Sequence, residues 1–207
     1  MIGALIKNTC IYIGVATSVL TSVINYLQLI KHYVYTGYKK RCFEQIDKNT
    51  LITPTSKRIN GGVVGRNCRF GRGLWLEAIK NYHQYSYNPI LIIGNDCIFG
   101  DFNHIAAINK VVIGNGVLTG QNVLIEDHTH GETKNRTDLD TLPTMKALFS
   151  KGSIIIEDNV WIGDKVVICP GVSIGKGSII GANSVVTHDI PPFSVAAGIP
   201  AKIIHQN

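Results

Sequence analysis

Two histidines stand in the run Glu126-Asp127-His128-Thr129-His130-Gly131. Imidazole titrates near neutral pH, so either ring can take a proton from a hydroxyl and return it. Glu126 or Asp127 can accept the ring's other N–H and fix its orientation. The same HxH pair with carboxylates is also a metal-ligand pattern, with His104 or a histidine of a neighbouring chain as the third ligand. Position decides how far either reading goes. The pair falls where a regular pattern stops and a long irregular stretch begins.

That pattern has a period of six. It runs Ile93-Gly94, Phe99-Gly100, Ile105-Ala106, then Ile113-Gly114, Thr119-Gly120, Ile125-Glu126. After a break it resumes as Ile156-Glu157, Ile162-Gly163, Ile168-Cys169, Ile174-Gly175, Ile180-Gly181 and Val186-Thr187. An earlier turn is legible in Val64-Gly65, Phe70-Gly71 and Leu76-Glu77. Helices repeat their apolar residues at steps of three and four, and strands at two. A hexapeptide period describes a parallel β-helix, three units to a triangular coil, each coil stacked on the last. The bulky residue points inward and the next turns a corner, with Asn and Asp following because they tolerate left-handed backbone. Thr119 is the polar exception among the inward positions.

Three stretches interrupt the period. Lys80 to Pro89 carries Tyr82, His83, Tyr85 and Tyr87, a loop suited either to stacking on a sugar or to covering an edge as a hairpin. Two extra residues between Ile105 and Ile113 make a corner bulge. The long loop, residues 131–153, has charges, Pro143 and no repeat. Loops of that length are usually functional or disordered. Pro191-Pro192, Gly198 and Pro200 mark a cap over residues 188–207, with Ala201 to His205 a closing strand or short helix.

Residues 1–58 are expected to form an N-terminal helical segment and residues 59–207 the solenoid, joined through a lead-in loop at 50–62 broken by Pro54 and Gly61-Gly62. No charge occurs between Lys7 and Lys31, a run long enough to cross a bilayer. Thr17, Ser18, Thr21, Ser22, Asn25 and Gln28 form an uncharged stripe opposite Val15, Val19, Val23 and Leu27. Such a helix over residues 8–36 can span a membrane, lie in its surface, or pack on the domain or on neighbouring subunits. No small-residue cleavage site follows it. Lys31, Lys39, Lys40 and Arg41 favour the cytoplasmic side for what comes next.

The 207 residues hold 20 basic and 14 acidic side chains, a net +6 that reads as thinly spread apart from Lys39, Lys40 and Arg41. Nothing resembles a nucleic-acid module, and no nucleic-acid partner is expected. The five cysteines are odd in number and form no CxxC pair, which speaks against a disulfide framework or a zinc knuckle. Cys97 and Cys169 sit in the repeat as packing residues of a protein from a reducing compartment.

The second half of the repeat resembles the hexapeptide-repeat acyltransferases. The carrying residues are Ile156-Glu-Asp-Asn-Val-Trp-Ile-Gly-Asp, Pro170-Gly-Val-Ser-Ile-Gly-Lys-Gly, Ile180-Gly-Ala-Asn-Ser-Val-Val-Thr-His-Asp-Ile-Pro-Pro and Ala197-Gly-Ile-Pro-Ala-Lys. The likeness covers about residues 60–205. It is strongest to the branch with galactoside and maltose O-acetyltransferases and the O-acetyltransferases of bacterial surface polysaccharides.

The resemblance implies an all-β, left-handed parallel β-helix, a homotrimer, and acetyl-CoA as acyl donor in a groove between neighbouring coils. It implies transfer of acetyl to a sugar hydroxyl with no covalent enzyme intermediate and no metal. His130 matches the family's general base by ungapped register, with His128 the alternative and Asp127 or Glu126 as orienting carboxylate. Trp161 resembles the tryptophan beside the pantetheine arm. Gly163 and Asp164 follow it, Asp164 standing where the galactoside enzyme has serine. Gly181 and Ala182 match the corner whose backbone meets the pantetheine amides. Thr187 and His188 match a Thr-Lys pair near the nucleotide phosphates, while Lys202 and His205 fall at two arginines. Lys keeps the charge and loses the bidentate fork. Gly100 replaces an acceptor-side asparagine, so Asn103, His104 and Tyr85 are the candidate sugar contacts, and the acceptor is not expected to be a simple galactoside. Rival readings are an N-acetyltransferase on an amino sugar or nucleotide-sugar and a non-catalytic trimeric scaffold. The expected location is the cytoplasm, with attachment to the cytoplasmic membrane resting on the helix.

Overall fold

The computed structural model describes residues 2–56, 58–132 and 139–206, with side chains from Ile11 onward. Three parallel sheets form the sides of a triangular prism. The first stacks Gln45–Ile46, Val63–Val64, Ile90–Ile93, Lys110–Ile113, Ile154–Ile156 and Ser173–Ile174. The second stacks Leu51–Ile52, Arg69–Phe70, Ile98–Phe99, Leu118–Thr119, Trp161–Ile162, Ile179–Ile180 and the capping strands. The third stacks Arg58–Asn60, Trp75–Ala78, His104–Ala107, Leu124–Glu126, Val167–Ile168 and Val185–Val186. Each successive coil adds one strand to each face.

Register follows the hexapeptide. Val64, Ile93, Ile113, Ile156 and Ile174 form one inward column. Ile59, Leu76, Ile105, Ile125, Ile168 and Val186 form another. The third column holds Ile52, Phe70, Phe99, Thr119, Ile162 and Ile180, with the Phe70 and Phe99 rings stacked at 4.8 Å. All these residues are buried. Stacking like on like buries a continuous apolar column at roughly 25 cal/mol per Å². Thr119 is tolerated because the buried amide of Asn103 donates to its hydroxyl. Cys68 and Cys97 are equally built in, their thiols donating to the carbonyls of Gly94 and Gly114.

The solenoid begins earlier than the expected boundary at residue 59. Gln45–Ile46, Leu51–Ile52 and Arg58–Asn60 already form the first coil, paired in parallel with the second. The inward residues Ile46, Ile52, Ile59 and Val64 are spaced six, seven and five apart, so a strict period of six misses them. Pro54 and the Gly61-Gly62 pair therefore serve as corners. Both glycines have positive φ, 76° and 89°, and a Cβ on Gly61 would lie 2.8 Å from that of Ala78.

One helix, Ile2–Lys39, precedes the coils and outruns the expected 8–36. It is locked to the first coil at its end: buried Thr36 accepts the Ile52 N–H at 2.9 Å. The rest projects, exposed from Ile11 to Lys31. The insert after Leu76 is a hairpin, Asn81–Tyr82 against Tyr85–Ser86. The long loop is rooted by Thr129–His130 pairing antiparallel with Leu148–Phe149. Its residues 133–138 lie outside the described residues. The cap is a strand: Ala201–Gln206 folds back on Ser194–Gly198 and covers the last coil's edge.

Candidate active site

On the third face, side chains flanking the inward column point out and stack coil over coil. Trp75 and His104 are register partners, and their rings lie 4.3 Å apart at 22°. The next outward position holds Glu77, Ala106 and Glu126 in register. Arg58 pairs with Glu77 at 3.3 Å, Glu77 accepts the Trp75 indole N–H at 3.0 Å, and His104 Nδ1 meets Glu126 at 2.9 Å. Burial raises the Glu126 carboxyl, but the His104 hydrogen bond and the electrostatic influence of the nearby His104, His128 and His130 rings outweigh it. Its pKa ends below the ordinary value.

The hairpin and the long loop turn this wall into a cleft of about 450 Å³, lined also by Tyr82, His128, His130 and Leu148. Tyr82 is central. Its hydroxyl donates to the Thr144 carbonyl at 3.0 Å and lies 3.3 Å from His130 Nδ1. His83 Nε2 lies 2.8 Å from the same carbonyl, and Tyr87 accepts the Leu148 N–H at 2.7 Å. Three residues of the hairpin thus hold the long loop. With the Tyr82 proton directed at Thr144, its oxygen accepts from His130 Nδ1–H. The lone pair of His130 then sits on Nε2.

The two histidines have different surroundings. His128 is nearly buried, and its Nδ1 is 3.2 Å from Asp127. Asp127, fully buried, also accepts the backbone N–H groups of Ile108, Asn109 and Lys110 at 2.9, 2.9 and 2.6 Å. Asp127 thereby ties down the corner bulge of the coil below. The expected carboxylate partner for His130 is therefore not found: Asp127 serves His128 and the backbone, and Glu126 serves His104. Tyr82 takes that place.

Two expected sugar contacts are displaced. Asn103 is buried, bonded to Thr119 and to the Val123 N–H, and turns a corner inside the coil. Tyr85 faces Tyr82 across the hairpin and does not line the cleft. His104 does line it, with Trp75, Arg58 and Glu126 beside it. Trp75 and Arg58 escaped sequence reading, and Glu126 was expected only as an orienting carboxylate. Their signal was present: each stands one place before or after an inward residue of the same face.

The expected donor residues gather on the later coils. Trp161 is half exposed on the second face, between Leu118 and Ile179. Gly163 and Ala182 touch at the corner after it, where a Cβ on Gly163 would lie 2.6 Å from the Ala182 nitrogen. A Cβ on Gly181 would lie 2.9 Å from that of Ala197. Asp164 accepts the Gln121 N–H at 2.8 Å, so its carboxylate is part of the coil-to-coil bonding. Thr187 and His188 meet at 2.8 Å, and Lys202 pairs with Ala197 on the exposed cap. Trp161 and the His130 cleft stand on different faces of one chain. Among the described residues no cluster of His, Cys, Asp and Glu has the geometry to hold a metal ion.

Comparison with known proteins agrees with this architecture. The family described as bacterial transferase hexapeptide (six repeats) matches residues 153–188. The chain is 37% identical over 196 residues to WbbJ of Escherichia coli K12, named for O-acetyl transfer in lipopolysaccharide biosynthesis, covering 87% of this chain and 93% of that one. It is 37% identical over 140 residues to the galactoside O-acetyltransferase of the same organism, spanning 66% of this chain and 62% of that enzyme. The solved maltose O-acetyltransferase of Clostridium difficile 630 superposes with a TM-score of 0.56 at 27% identity, covering 81% of this chain and 71% of that one. A relative of such identity, matched nearly end to end, decides the family. The chain belongs to the hexapeptide-repeat acyltransferases, in the branch of sugar and polysaccharide O-acetyltransferases, and carries that family's left-handed parallel β-helix.

Proposed function

We propose that the protein is an acetyl-CoA-dependent O-acetyltransferase that modifies a sugar hydroxyl of a bacterial surface polysaccharide or its precursor, with His130 as general base. The observation that carries this is the His130 ring at the mouth of a sugar-sized cleft, its Nδ1 held by Tyr82 and its Nε2 left to accept a proton. His130 takes the acceptor hydroxyl proton as that oxygen attacks the thioester carbonyl. The C–S bond then breaks, and His130 returns the proton to the departing thiolate. Acetyl-CoA, when bound, supplies the activated acyl group. Holding both substrates together provides much of the acceleration.

The donor residues fit such a ligand. Gly163, Gly181 and Ala182 leave a bare corner beside exposed Trp161, and Thr187 and Lys202 lie further along toward the cap. Since Trp161 and His130 occupy different faces, a complete site needs a second copy, whose Trp161 face adjoins the first copy's His130 cleft. A homotrimer closes that arrangement three times over. In the cleft, Trp75 and His104 offer a stacked aromatic wall and Arg58, Glu77 and Glu126 offer polar contacts to hydroxyls. Thiol release from acetyl-CoA with a panel of free saccharides tests the reading. Turnover with at least one acceptor supports it; acetyl-CoA binding without turnover on any saccharide or amino sugar contradicts it.

A further inference from the structure

We propose that the long helix crosses a lipid bilayer and that the first coils of the solenoid stand on its anionic cytoplasmic leaflet. The acceptor is then a saccharide carried on a membrane lipid, an inference that rests on the acetyl-transfer reading above.

The helix is built for hydrocarbon. Residues 8–30 give 23 consecutive positions without a charge. At 1.5 Å per residue they span about 34 Å, against a hydrocarbon core of about 30 Å. None of the apolar window from Ile11 is buried against the rest of the chain. Val15, Val19, Leu20, Val23, Ile24 and Leu27 are all about half exposed or more. A polar stripe is costly in lipid unless its hydroxyls are satisfied internally. Three of its four hydroxyls are: Thr17 donates to Ile13 and Gly14, Thr21 to Thr17, and Ser22 to Ser18. The helix is also part of the fold, because Thr36 is buried and bonded to Ile52 and Tyr35 packs on the core.

The domain-side end has the chemistry of a membrane interface. Lys39 lies 5.7 Å from the Tyr35 and Tyr38 rings, and Arg41 lies 4.6 Å over Tyr38 and donates to its hydroxyl at 3.0 Å. Aromatic rings interleaved with cations are the belt that anchors spanning helices at the headgroups. The charge is not thinly spread after all. Ten of the 20 basic residues and two of the 14 acidic ones fall between Lys31 and Gly73, a net +8 against +6 for the whole chain. Lys48, Arg66 and Arg69 are exposed around the first two coils, the end to which the helix is bonded, while Arg58 and Arg72, also exposed, pair with Glu77 and Asp101. Such a surface complements anionic headgroups. Arg58 and Trp75 extend the acceptor cleft from His130 down onto those same coils, so one end of the cleft lies toward that leaflet.

The test uses the full chain, incorporated into vesicles of phosphatidylcholine with about one third phosphatidylglycerol. Wild type is expected to float with the vesicles and to stay with them through an alkaline carbonate wash. Leu20→Lys with Ile24→Lys changes two exposed positions far from the cleft, and is expected to lower the retained fraction at least about tenfold. In detergent that variant is expected to turn over a free saccharide like wild type, which shows that the fold survives. Equal retention of variant and wild type, or release of wild type as a water-soluble oligomer held together by its helices, overturns the insertion. In the vesicles, a glycolipid is expected to be acetylated at least about tenfold faster than its free headgroup saccharide; equal rates overturn the lipid-linked acceptor. If neither is acetylated, the lipid-linked acceptor falls with the acetyl-transfer reading, while flotation still decides the helix.

Discussion

His128 and His130 are two residues apart and differ in everything that matters for catalysis. His128 is nearly buried and tied to Asp127, whereas His130 is exposed at the cleft with Tyr82 on its Nδ1. His130→Ala is expected to lower kcat by about 10²–10⁴-fold with acetyl-CoA affinity kept. Tyr82→Phe loses both the ring's partner and a bond to the loop, so kcat is expected to fall about tenfold, with KM for acetyl-CoA unchanged in steady-state kinetics. Asp127→Ala strands three backbone N–H groups and is expected to cost about 3 kcal/mol of stability, read as a lowered thermal midpoint. Glu126 makes a pH prediction. Its folded-state carboxyl lies below its ordinary 4.5, so its ionised form stabilises the fold above the unfolded value. That contribution is lost as pH falls through the depressed value. Urea unfolding of Glu126→Gln should show a deficit at neutral pH that closes in acid. The histidine pair was legible in the sequence because it sits where the repeat ends. Its true partners were not, since Tyr82 comes from an insert 48 residues earlier whose docking depends on tertiary contacts.

Local elements explain what the repeat could and could not announce. Strands of two residues with one inward side chain carry no propensity signal of their own; only the period gives them away. Where the period held, from Ile93 to Ile105, Ile113 to Ile125 and Ile156 to Val186, coil register followed directly. Where spacing drifted to seven and five, at Ile52, Ile59 and Val64, the first coil passed for a loop. Asn103 misled for a related reason: a polar residue near a corner reads as exposed, and here it is the internal partner of Thr119. The corners themselves are unforgiving. In Gly163→Ala the new Cβ meets backbone atoms of Ala182 at 2.6 and 2.9 Å, which no rotamer change can relieve. A loss of about 1–3 kcal/mol is expected by thermal unfolding, with weakened acetyl-CoA binding because that corner adjoins Trp161.

Over the whole molecule, the division of labour runs along the prism axis. The early coils carry the basic surface, the helix and the acceptor wall; the late coils carry the bare glycine corner and the cap. The His130 cleft bridges them at the middle, at the root of the long loop. Fold class was legible because a solenoid repeats one local rule. The proposed assembly leaves no periodic trace, and only the family resemblance led to it. The proposed trimer predicts that mixing His130→Ala with Trp161→Ala subunits restores part of the activity lost by each alone, through sites that take both residues intact. The most direct test of the central claim is acetyl-CoA binding by calorimetry alongside thiol release with saccharide acceptors, for wild type and His130→Ala. The account predicts that both proteins bind acetyl-CoA and only wild type releases thiol. Absence of acetyl-CoA binding by the wild type, or full turnover by His130→Ala, would contradict it.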